Sequence, residues 1–159
     1  MKQFIIKLSI FVLSISLSVL NSCTSNNSAT EKTSSVEQDS TSQLAGKLIQ
    51  DFYSRYVLGR EELNDDNAKD YLTAKLIGYL HHEYQNEYDG DGLAVWKFRT
   101  GYQDGPGSSS IEILSFDESN GCATVKIMDM GFPAKGQIFI IKEDKELKID
   151  SISVNTINE

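Results

Sequence analysis

The sequence predicts an α+β domain, with N-terminal helices packed on a bent antiparallel β-sheet, set behind a secretory leader and a disordered tether. Three observations carry this. Apolar residues recur at helical spacing over 44–57 and again over 76–84. Four β-patterned segments then form a meander over 110–154, and turn residues separate one segment from the next. Helices first and antiparallel strands afterwards place the helices on one face of the sheet.

In chain order, residues 1–7 supply a short basic start with Lys2 and Lys7. Residues 8–20 are apolar and Ser-rich. That run is too short, and too soon followed by polar chain, to span a membrane. Leu20-Asn21-Ser22-Cys23 comes next. It resembles a bacterial lipobox: an aliphatic residue at the first position, a small one before the cysteine, then the cysteine. Asn21 departs from the usual choices, at the permissive middle position. The resemblance implies that residues 1–22 are a lipoprotein signal peptide, and that the Cys23 thiol takes a diacylglyceryl group as the first residue of the mature chain. Each buried CH₂ of such chains contributes about 0.8 kcal/mol. The expected partner at that end is therefore a membrane, reached through the lipid on Cys23. Residues 23–42 form the lipidated cysteine and tether, dominated by Ser, Thr, Asn, Glu and Gln. Such a segment is expected to be disordered, because burial does not offset its ordering entropy. No acidic run directly follows Cys23, which favours a periplasm-facing domain in the bacterial envelope.

Residues 43–159 are the domain. Leu44, Leu48, Ile49, Phe52, Tyr56 and Val57 predict an amphipathic helix. Ser42 is its expected cap and Gly59 its stop. Asp66 is expected to cap a short turn. Thr73 is expected to cap the second helix, with Leu76, Ile77, Leu80 and Tyr84, which Asp89-Gly90-Asp91-Gly92 ends. Residues 93–99 alternate enough to predict a strand. The meander follows: 111–116, then 122–128 with Ala123, Val125 and Ile127 on one face, joined through Asn120-Gly121, the strongest short hairpin signal. Residues 137–141 are apolar on both faces, which predicts a central strand covered on both sides. In the last strand Leu147 and Ile149 share one phase and Ile152 and Val154 the other, which predicts a β-bulge at Asp150-Ser151.

The formal charge of -8 and pI near 4.8 argue against a nucleic-acid partner, which requires clustered Lys and Arg. Cys23 and Cys122 are the two cysteines. Cys122, in strand phase beside a turn, reads as a partly buried structural thiol.

Several short motifs resemble a family of secreted and lipid-anchored bacterial domains catalogued as domain of unknown function 3828. They are Phe52-Tyr53-x-x-Tyr56, Tyr71-Leu72-Thr73 before Leu76, Tyr88-Asp89-x-Asp91 followed by Gln103-Asp104, and a closing Leu147-Lys148-Ile149-Asp150-x-Ile152. The likeness covers 44–157. Leu147 stands where an aromatic often precedes the Ile-Asp pair. The resemblance implies a nuclear transport factor 2-like cone, a cystatin-like arrangement with helices in the concavity of a bent sheet. It implies fold and location rather than chemistry.

The candidates for a pocket or ligand site are Tyr53, Tyr56, Asp89, Asp91, Gln103, Asp104 and Asp150. Other constellations fail on spacing. His81-His82-Glu83 lacks the second histidine four residues on that a zinc-protease helix requires. Glu87, Asp89 and Asp91 resemble the opening of a calcium loop, but Phe98 stands where the closing bidentate Glu belongs. No catalytic residue, cofactor or metal is assigned. The leading expectation is a lipid-anchored envelope domain that binds a small ligand or an envelope protein. One alternative is a small hydrolase- or isomerase-like enzyme with a carboxylate in the cone mouth. The other is an immunity or inhibitor protein acting through its acidic face.

Overall fold

The computed structural model describes residues 40–101 and 105–156. The leader, Cys23 and the tether up to residue 39 lie outside the described residues, as do Gln103 and Asp104.

Helix α1 spans Thr41–Phe52. Its cap is Ser40 rather than the expected Ser42. Ser40 Oγ accepts from Gln43 N at 3.2 Å, and Gln43 Oε1 accepts in return from Ser40 N at 2.8 Å. This reciprocal box satisfies two donors that the first turn leaves open. The helix continues into a π turn, Tyr53–Val57, closed by Leu58 N donating to Tyr53 O at 2.8 Å. The wider turn suits the sequence: Phe52, Tyr53, Tyr56 and Val57 repeat at a spacing of four, and all four are buried.

Helix α2, Asp65–Ala68, is a single turn capped by Asn64, not by Asp66. Helix α3, Ala74–Glu87, is capped by Thr73 as expected, with Leu76 N donating to Thr73 Oγ1 at 3.2 Å. Tyr88 ends it, and Gly90 takes a φ of 117° in the turn beyond.

The expected strand over 93–99 is instead a 3₁₀ helix at Val95–Phe98. Ala94 N donates to Leu80 O at 3.1 Å and Lys97 N to Ala94 O at 3.0 Å, so its donors find partners locally and on α3. Val95 and Phe98, three apart, share one face of a 3₁₀ turn, whereas on a strand they would face opposite sides.

The sheet has four antiparallel strands in chain order: β1 Ser110–Asp117, β2 Cys122–Asp129, β3 Phe132–Glu143 and β4 Glu146–Thr156. Val125, Ile127, Ile138, Ile140 and Ile149 form its buried face. The bulge predicted in β4 is present. Phe139 pairs with Ser151 and Ile140 with Ile149, which leaves Asp150 as the extra residue. Ile149 before it and Ile152 after it thereby pair with inward-facing Ile140 and Ile138. A second bulge leaves Leu114 unpaired in β1. Bulges bend their strands, and α1 touches both edge strands, β1 and β4.

Two expectations about β3 and its turns are corrected. Its outer face is only partly covered: Phe139 is half-buried, and Ile141 is 43% exposed. Asn120-Gly121 is not a two-residue turn. It ends a four-residue loop in which only Gly121 has positive φ, 66°. Asp117 straightens that loop, accepting from Ser119 N at 2.9 Å and Asn120 Nδ2 at 2.9 Å. The turns with positive φ at both centres are Met130-Gly131 (50° and 93°) and Asp144-Lys145 (49° and 76°).

Phe52, Tyr53, Phe98, Ile49, Leu72 and Leu80 fill the space between helices and sheet, with the Phe52 and Phe98 rings 4.9 Å apart. Burying each such side chain contributes roughly 1.5–3 kcal/mol.

Candidate functional site

At one end of the sheet the start of α1 stands beside β1, β3 and β4. A groove of about 300 Å³ opens there. Its apolar wall is Leu44 from α1, Phe116 from β1, Ile140 and Ile141 from β3, and Leu147 from β4. Leu44 and Ile141 are 45% and 43% exposed, among the large apolar side chains most open to water. Glu118 and Lys145 from the two hairpin loops at this end, and Lys142 from the end of β3, supply its charged lining. Its geometry follows from the turns: Gly121 O accepts from Ile140 N at 2.8 Å, which fixes one loop against β3. Asp144 and Lys145 in left-handed conformation point the other tightly back. The arrangement offers an apolar contact with cationic and anionic groups around it. It contains no nucleophile paired with a base.

The sequence candidates do not converge on this groove. Tyr53 is in the core at 0% exposure, its hydroxyl donating to Phe98 O at 3.2 Å. Burial pushes its phenol well above the ordinary range. Tyr56 is buried beside it, against Phe52 and Tyr71, and the Arg55 guanidinium lies 5.1 Å from its ring centre. Asp89 and Asp91 are exposed on the turn after α3. There Tyr84, Tyr88 and Trp96 pack with centroids 5.4–5.6 Å apart. Asp150, at its bulge, accepts from Thr73 Oγ1 at 3.1 Å and pairs with Lys75 Nζ at 2.6 Å. That carboxylate joins β4 to the cap of α3. It also lines a hollow of about 240 Å³ with Leu76, Tyr79 and Ile152.

Two further polar clusters escaped the sequence reading. Asp129 is completely buried at the end of β2, where Arg99 Nε and Nη2 donate to it at 2.9 and 2.7 Å and Thr100 Oγ1 at 3.2 Å. Burial alone would raise its pKa; the Arg99 fork and Thr100 outweigh that and hold it below the usual carboxylate range. Tyr71 donates its hydroxyl to Asp51 and accepts from Arg55 Nη1 at 2.8 Å. Burial first, and Asp51 second, push its phenol up to about 12. Both clusters tie elements together. His81 Nε2 stands 2.7 Å from Asp65 Oδ1, bridging α3 to α2.

The residues of the groove come from four separated segments, each ordinary in its local pattern. Leu44 was visible only as the first member of the α1 apolar series, and nothing local distinguishes it from a core position. Among the described residues, no cluster of His, Cys, Asp and Glu is arranged to hold a metal ion, and no helix is long and apolar enough to cross a membrane. No family model matches the chain, and no curated protein or solved structure is significantly similar to it.

Proposed function

We propose that this chain is a lipid-anchored, periplasm-facing protein of the bacterial envelope, whose α+β domain works by binding a small ligand or a partner rather than by catalysis. The acyl anchor is on Cys23, and a polar tether joins it to the domain. The finer form of the fold, a nuclear transport factor 2-like cone of the kind found in the domain of unknown function 3828 family, belongs to the same proposal. The bulges of β1 and β4 and the contacts of α1 with both edge strands support a bent sheet.

The observation that carries the binding reading is the groove itself, where exposed Leu44 and Ile141 line an opening together with half-buried Phe116 and Leu147. The enzyme alternative requires a carboxylate inside an apolar cavity. Among the described residues, buried Asp129 is committed to Arg99 and Thr100, and Asp150, which lines the hollow beside Leu76, Tyr79 and Ile152, is engaged by Thr73 and Lys75.

The test is a thermal-shift and co-purification screen of the mature protein against envelope components. It should yield a component that raises Tm, and Phe116→Ala or Ile141→Glu should abolish that shift. No stabilising component and no co-purifying partner would contradict the reading.

A further inference from the structure

We propose that the groove is the face with which the domain docks on the bilayer, so that its partner is membrane lipid. This deepens the reading above and rests on acylation of Cys23. The chain that follows Cys23 enters the domain at the groove. Thr41 lies 18 positions after Cys23 and itself lines the groove.

Leu44 and Ile141 are half-exposed on this end, and Lys142 and Lys145 flank them. Apolar side chains enter the boundary between headgroups and acyl chains, while lysines reach the phosphates from the same depth. Glu118 also lines the groove, and Glu143 and Asp144 lie in the same hairpin. Attraction to anionic lipid is therefore modest, and the apolar pair carries the contact. The tether keeps that pair at high effective concentration beside the membrane, so a weak contact suffices.

The experiment uses the mature acylated protein in phosphatidylethanolamine–phosphatidylglycerol vesicles, with Cys23 acylation verified by intact mass. In a Cys122→Ala background, a single fluorophore is placed by Leu44→Cys, Ile141→Cys or Ser54→Cys. Ser54 is exposed and stands about 15 Å beyond Leu44 along the helix axis. A quencher carried on the lipid should quench the labels at 44 and 141 several-fold more than the label at 54. Equal quenching at all three sites, with Cys23 acylated, would overturn the docking face and leave the anchor standing. An unmodified Cys23 would overturn the anchor reading and the docking with it.

Discussion

Arg99 grips Asp129 with two parallel hydrogen bonds, 2.9 and 2.7 Å, at the point where the 3₁₀ segment meets the end of β2. The carboxylate is fully buried, while the guanidinium keeps part of its surface in water. The pair holds the segment 95–100 against the sheet, a job that the expected strand would have done by backbone pairing.

Removing one partner leaves the other stranded. Asp129→Ala should destabilise the domain by roughly 2–4 kcal/mol, less than a fully enclosed pair because Arg99 reaches solvent. Asp129 is also a source of acid sensitivity. Its folded pKa lies below that of the unfolded chain. The stability it adds is therefore complete above the ordinary aspartate range near pH 4 and is lost as pH falls through the depressed value. Urea melts between pH 2 and 5 should show that slope in the native protein and a shallower one in Asp129→Asn. Identical slopes would contradict the assignment.

At the alkaline end the sign reverses. Tyr53 and Tyr71 have raised pKa values, Tyr71 near 12. Neutral phenols thus stabilise the fold fully below pH 10; the contribution of Tyr71 drains away between about pH 10 and 12, and that of Tyr53 persists to higher pH. Ultraviolet titration of the folded protein should show a phenol ionising near pH 12, and Tyr71→Phe should remove that step.

Thr73 does two jobs at once, capping α3 and donating to Asp150 across the seam to β4. Thr73→Val should cost about 1–2 kcal/mol, and Thr73→Ser should recover most of it. Equal losses in both variants would show that packing, not the hydroxyl, is what Thr73 supplies.

Met130 adopts a φ of 50° in a two-residue hairpin turn completed by Gly131. Side chains other than Asn, Asp and Gly are strained there. Met130→Asn creates the favoured Asn-Gly turn and should raise stability by about 0.5–1 kcal/mol, read as a Tm increase of a few degrees.

How far the sequence disclosed the molecule can be judged from individual residues. The four strands, the Thr73 cap and the Asp150 bulge were legible because each is a local matter: alternation, a side chain that can cap, a change of phase. The 93–99 segment was not, since Leu93 and Val95 suit a two-residue period while Val95 and Phe98 suit a three-residue one, and the outcome rests on Leu80 O, 14 positions before Ala94. The π turn left no mark beyond a spacing of four that helices also tolerate. Asn120-Gly121 misled because Asp117 organises a longer loop around it. Of the proposed site residues, Tyr53 and Tyr56 were conspicuous as aromatics, which is also why they are in the core. The groove is assembled from two hairpin loops and a helix start far apart in sequence, so no pattern within one segment announces it.

The account depends above all on what is attached to Cys23. Intact mass spectrometry of the protein extracted from bacterial membranes tests this most directly. The chain should begin at Cys23 and carry the added mass of a diacylglyceryl group. A polypeptide released in soluble form, with a free thiol at Cys23 or with residues 1–22 still in place, would contradict it.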